Sequence, residues 1–309
     1  MRYLGRGRDL DRHSRPVAAL AAIVACCRSW IARPSWSAGT PCASSARGKA
    51  GCSEARVRAG PNRLALLSLV AGLALGPADA AGQLRTDLSK ALVPLDEIIP
   101  GGPPPDGIPA IDRPAFVTPA EASRWLHPKE PVLALEIQAD ARAYPLQILM
   151  WHEIVNDTVG GRPVTVTYCP LCNSGLVFDR VVEGTTLDFG TSGKLYKSDL
   201  VMYDRQTHSL WAQMEGRAIV GQRAGTRLKL VPANTIAFEE WRAAHPGGKV
   251  LSRETGHRRP YGANPYEGYD QPTLSPFLFL GRPDPRHPPK ERVVGVTVGE
   301  AARAYPWSL

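Results

Sequence analysis

Pro163-Val-Thr-Val-Thr-Tyr-Cys-Pro-Leu-Cys-Asn-Ser-Gly-Leu-Val-Phe-Asp-Arg-Val-Val182 is the stretch on which the fold turns. Pro163–Tyr168 alternates apolar and hydroxyl side chains, the two-residue period of a strand. Pro170 has no N–H to give to a ladder, so pairing breaks directly after Cys169. Asn173-Ser174-Gly175 reads as a turn, with Gly175 expected to permit the reversal, and Leu176–Val182 reads as the next strand. A thioredoxin-like site would open a helix after its Cys-x-x-Cys; here turn and strand follow. The segment predicts two antiparallel strands with both cysteines on the turn between them.

Working outward, Val132–Gln138, Thr186–Phe189, Leu200–Tyr203, Leu210–Met214, Ala218–Val220 and Leu228–Val231 read as further short strands separated by turn residues. Three short helices are expected. One spans Pro119–Leu126 behind the N-cap Thr118, one Pro145–Glu153 and one Thr235–Ala244. Residues 253–289 are rich in Pro, Gly, Tyr and Asn, and a loop that long is usually functional or disordered. The sum is an α+β, β-rich chain with mainly antiparallel short strands and a few short helices. Val132–Pro145 also aligns without gaps to Val293–Pro306, sharing the ending Ala-Arg-Ala-Tyr-Pro. The second copy reads as the start of a second, truncated unit. The expected organisation is a leader over 1–80, a lead-in with a Pro/Gly-rich loop over 81–109, a main domain over 110–292 and the second repeat over 293–309.

Charge and cysteine usage narrow the function. The 309 residues carry a formal charge of +8. Residues 1–80 hold 12 basic and 4 acidic residues, and the remaining 25 basic and 25 acidic residues cancel. The folded part therefore has no bulk attraction for polyanions, and no nucleic-acid partner is expected. No apolar run reaches the ~18 residues of a membrane span. Leu64–Leu75, preceded by Arg58 and Arg63 and followed by Ala78-Asp79-Ala80, has the layout of a secretory signal peptide. Cleavage after Ala80 is expected, with Val57 as a candidate translation start, and the mature protein is expected in the periplasm or outside the cell. Of six cysteines, only Cys169 and Cys172 lie beyond the leader. Two cysteines in one Cys-x-x-Cys are no disulfide framework, and in an oxidising compartment they call for a bridge or a metal.

Three readings of the pair stay open: a redox dithiol, a metal site, and a small structural disulfide or two buried thiols. His152, at the end of its predicted helix and 17 residues before Cys169, is expected within ligand reach of both sulfurs. His152, Cys169 and Cys172 would suit copper or zinc, and not calcium or magnesium. Met150, Met202 or His208 could complete the set. Gly190–Gln213 is dense in polar residues, most of which read as turn chemistry. Asp199 and Trp211 are the two expected to face the site as catalytic residues.

Six blocks in order carry a resemblance: GGPPPDGIPAID, ARAYPLQILMWHEIVNDTVGG, VTYCPLCNSG, KSDLVMYDRQTHSLW, VLSRETG and PKERVVGV. Together they resemble the bacterial family called domain of unknown function 3179, from about Pro100 to the C-terminus. The resemblance implies export and brings no reaction with it. Longer members look like two degenerate copies, the second without the Cys pair, and this chain lacks most of that second copy. The expected function is an exported metal-dependent (copper or zinc) or thiol-based redox protein acting on a small molecule or metal ion. Its alternative is a non-catalytic envelope module that binds or handles metal, with a structural Cys pair.

Overall fold

A computed structural model describes residues 82–299 and 301–308. The leader, with its apolar run and the expected cleavage site, lies outside the described residues. Strands dominate, and nearly all pair antiparallel. The middle layer is a four-stranded sheet in the order Leu230–Val231, Ser174–Asp179, Arg162–Cys169, Ile154–Val159. One face packs on a five-stranded sheet ordered Asn234–Ala237, Pro131–Ile137, Asp140–Pro145, Lys249–Leu251, Phe116–Val117. The other packs on a five-stranded sheet ordered Ile98–Pro100, Phe189–Tyr196, Asp199–Asp204, Leu210–Ala212, Arg217–Val220. Lys249–Leu251 on Asp140–Pro145 is the one parallel strand pair among the described residues.

Alternation along Arg162–Cys169 builds both cores. Val164, Val166 and Tyr168 pack with Leu133, Leu135 and Tyr144 on one side. Cys169 points the other way, into a cluster with Phe189, Leu200, Met202 and Trp211. Because both faces are covered, the last six residues of this strand are all buried, unlike a two-layer strand that shows one face to water.

Helices are short. The first, α1, spans Pro119–Ala122 behind a complete Thr118–Glu121 capping box. It stops short of the expected Leu126, where the Ser123 hydroxyl bonds back to the Pro119 carbonyl at 2.7 Å and competes with the helix ladder. The second, α2, spans Leu146–His152, and the third, α3, spans Phe238–Ala244. The helix expected from Thr235 begins later, because Asn234–Ala237 is a strand on Pro131–Ile137. Thr235 and Ile236 are β-branched and fit that pleated surface.

The repeat takes the same form twice. Val132 pairs Pro145 and Leu133 pairs Tyr144; Val293 pairs Pro306 and Val294 pairs Tyr305. The first hairpin is flanked by a strand on each edge, whereas the second forms a two-stranded sheet of its own with most of its residues exposed.

The Pro/Gly-rich lead-in is tied to the second five-stranded sheet. Ile98–Pro100 pairs with Phe189–Tyr196, the Asp106 N–H donates to the Thr191 carbonyl at 2.8 Å, and the Thr191 hydroxyl donates to the Ile108 carbonyl at 2.7 Å. Gly193, at the bulge in that strand, has φ +71°, and a Cβ there would sit 2.0 Å from the Pro103 carbonyl oxygen. Only glycine allows the loop to lie this close.

Candidate functional site

Cys169 ends one strand and Ser174 begins the next, the two being paired across the turn. The reversal is made by Asn173, at φ 50°, and not by Gly175, which pairs with Tyr168 inside the ladder. Gly175 is small for packing: a Cβ there would meet Leu133 at 3.2 Å. Asn can occupy the left-handed region at low cost. The Tyr168 hydroxyl donates to Asn173 Oδ1 at 3.0 Å across the turn, and the Cys172 N–H reaches the Cys169 carbonyl at 3.3 Å. Gln213 fixes the turn from the neighbouring sheet, donating to Thr167 Oγ1 at 2.9 Å and accepting from the Ser174 hydroxyl at 3.2 Å.

Both cysteines are free thiols, Cys169 buried and Cys172 half-buried. Their sulfurs are 3.4 Å apart. Asp199 joins them from the start of its strand, with Oδ1 3.4 Å from Cys172 Sγ, while its Oδ2 accepts from the Met214 N–H at 2.9 Å. Cys172 Sγ is also 3.5 Å from the Ser198 carbonyl. A thiol has one proton, so only one of these acceptors is served at a time. One ligand atom from each of Cys169, Cys172 and Asp199 lies within 4.8 Å of the other two.

His152 does not join this group. Its fully buried ring is held by the Pro109 carbonyl, 2.7 Å from Nδ1, and by the Tyr261 hydroxyl, 2.5 Å from Nε2. A carbonyl only accepts, so Nδ1 carries the proton and Nε2 accepts from Tyr261. Burial pushes the ring pKa down to about 4, and His152 is neutral. The expected contact of His152 with both sulfurs is replaced by that of Asp199, because the imidazole is spent in holding the loops around Pro109 and Tyr261. Trp211 is a core residue: it is fully buried, edge-on to Phe189 at 5.6 Å, and donates from Nε1 to Asp204 Oδ2 at 2.9 Å. Met202 packs in the same cluster as the cysteines, Met150 lines the cavity that Cys172 faces, and His208 accepts from the Arg85 N–H at 3.1 Å.

The residue that sequence reasoning missed is Glu153. It caps α2 in the left-handed region, φ 57°, where Gly or Asn is usual. Its side chain is 7% exposed. Burial, and then the nearby Asp199 carboxylate, push its pKa up to about 8. Asp199 itself is pushed up to about 6 by burial, against the opposing hydrogen bonds from Met214 and the thiols. Burial, the Cys172 contact and these two carboxylates push the Cys169 thiol well above its usual range. Among the described residues no basic side chain forms an ion pair with Asp199 or Glu153. The usable signal in the sequence was a glutamate at a helix C-cap position.

Cys172, Asn173 and Met150 line an open cavity of about 860 Å³, together with Tyr266 and Trp307. Glu153 faces a second cavity, of about 680 Å³. Leu171, Tyr266 and Tyr269 line both. The sequence profile of one family, described as a protein of unknown function (DUF3179), matches residues 105–309. The chain belongs to that family. The matched span includes both cysteines, Asp199 and Glu153, so the whole cluster is part of the family's domain. No curated protein and no solved structure matches the chain.

Proposed function

We propose that this chain is an exported thiol–disulfide redox protein in which Cys172 is the reacting thiol, Cys169 the resolving thiol and Asp199 the proton acceptor. One observation carries the reading: Cys172, which faces an open cavity, lies 3.4 Å from both Cys169 Sγ and Asp199 Oδ1. A carboxyl with a pKa of about 6 is matched to taking a proton near neutral pH. Asp199 accepts the Cys172 proton as the sulfur attacks one sulfur of a substrate disulfide, and the other substrate sulfur leaves as a thiol on taking up a proton. Cys169 then attacks Cys172 Sγ. The Cys169–Cys172 bond forms, the mixed disulfide breaks and the second substrate thiol leaves with the Cys169 proton. The dithiol loses two electrons and the substrate disulfide gains them.

An aromatic disulfide reagent tests this. The wild type should release two equivalents of aromatic thiol and end as an internal disulfide. Cys169→Ser should release one and retain the other on Cys172, and Asp199→Asn should slow the first release at pH 6–7. A wild type that retains the reagent on Cys172 overturns the reading. Export is tested by sequencing the secreted protein, whose N-terminus should be Ala81.

A second reading has its own observation, the clustering of three ligand atoms within 4.8 Å. Cys169, Cys172 and Asp199 would supply two soft thiolates and a carboxylate, a donor set suited to zinc or copper. A cation would also offset the acidic groups that have no basic partner. Uptake of one zinc or copper ion per reduced chain, lost in Asp199→Asn, would favour this reading over the first.

A further inference from the structure

Three costs meet at Glu153. A non-glycine residue in the left-handed region is strained by ~1 kcal/mol. A buried carboxyl loses its hydration. Among the described residues its side chain has no hydrogen bond and no ion pair, although buried polar groups are nearly always partnered. The Glu153 backbone closes α2 on the Leu149 carbonyl at 2.7 Å and accepts from the Tyr168 N–H at 2.8 Å, but neither bond needs a carboxyl at this position. The carboxyl instead faces the cavity of about 680 Å³.

That cavity is built like a site for a small organic molecule. Its volume falls within the ~300–1,000 Å³ of ligand pockets. Ile108, Leu171, Leu200 and Leu274 give it apolar walls, and Tyr266 and Phe277 add aromatic faces. Three charged residues line it: Glu153 in the interior, exposed Glu267, and half-buried Lys194. Once Glu153 ionises, the balance is negative; burial and the Asp199 carboxyl behind it hold that proton up to about pH 8, so the charge is present above that pH. Aromatic faces beside a carboxylate favour a cation with an apolar body.

We propose that this cavity is a binding site for an organic ammonium compound, with its nitrogen on the Glu153 carboxylate and its apolar body against Tyr266 and Phe277. Cys172 lines the larger cavity and not this one, so a ligand held here leaves the space in front of the reacting thiol open.

The test is calorimetric titration of the purified, reduced protein at pH 8.5, where Glu153 is ionised, with three probes of one size: benzylammonium, benzyl alcohol and benzoate. Benzylammonium should bind at least tenfold more tightly than the other two. Glu153→Gln should cost it at least tenfold and leave benzyl alcohol unchanged. Phe277→Ala keeps the backbone groups that bond Ser198 and Tyr269 and should also weaken benzylammonium. If no probe binds, if the three bind alike, or if both variants bind benzylammonium as the wild type does, the proposal is overturned. The release of two aromatic thiols by Cys172 and Cys169 would stand in each of those cases.

Discussion

Replacing Glu153 by Gln should stabilise the protein, and by an amount that depends on pH. In the folded chain this carboxyl keeps its proton up to about 8, while its ordinary value is 4.5. Between those values the unfolded chain binds fewer protons than the folded one, so stability falls as pH rises. Asp199, raised from 3.8 to about 6, acts in the same direction but only below pH 6. His152, lowered from 6.5 to about 4, acts in the opposite direction and only below 6.5. From pH 6.5 to 8 the slope therefore belongs to Glu153 among these groups. At about 1.4 kcal/mol per pH unit, the wild type should lose about 2 kcal/mol across that window. For a chain of this size that corresponds to roughly 4–8 °C in melting temperature. Thermal melts of reduced protein with chelator present, at pH 6.5 and pH 8, measure it directly. Glu153→Gln should melt at nearly the same temperature at both. Equal slopes for wild type and variant would refute the argument that an ionising Glu153 is trapped in the folded state.

Other changes follow from the same geometry. His152→Ala removes a fully buried ring and two hydrogen bonds, so it should cost about 1–3 kcal/mol in denaturant melts while the disulfide reagent still releases two thiols. Gly193→Ala places a Cβ 2.0 Å from the Pro103 carbonyl oxygen at φ +71°; it should cost more than ~1 kcal/mol and expose 100–109 to limited proteolysis. Deleting residues 292–309 removes a hairpin that is mostly exposed and paired with itself, so the melting temperature should barely move; a large drop would show that the hairpin holds the main layers together.

What could be read in the sequence depended on how far apart the partners lie along the chain. The cysteine turn was legible because Pro170, the turn residues and the flanking alternation are all local. The repeat was legible because its two copies share Ala-Arg-Ala-Tyr-Pro, and both fold in one register. The strand at Asn234–Ala237 was not, since it forms by pairing with Pro131–Ile137, about a hundred residues earlier, and a Thr-Ile-Ala-Phe string suits a helix equally well. His152 was assigned to the sulfurs because it is close in sequence. Tyr261 and Pro109, which hold its ring, come from distant loops. Asp199 was selected from strand alternation and does reach Cys172. Trp211 was selected by the same rule, yet its face of the strand is the one packed in the core.

The middle sheet also fixes an order of events during folding. Its strands Ile154–Val159, Arg162–Cys169 and Ser174–Asp179 follow one another in the chain and close as short hairpins. The outer layers contain local hairpins too, but they are completed only when Ile98–Pro100 finds Phe189–Tyr196 and Asn234–Ala237 finds Pro131–Ile137, and when they dock on the middle sheet. Such distant pairings are slow, because the entropy of closing a long loop is lost before any contact offsets it. The two thiols are therefore brought side by side by a local hairpin alone, whereas Asp199 reaches them only when the neighbouring sheet docks, so the pair exists before its carboxylate does.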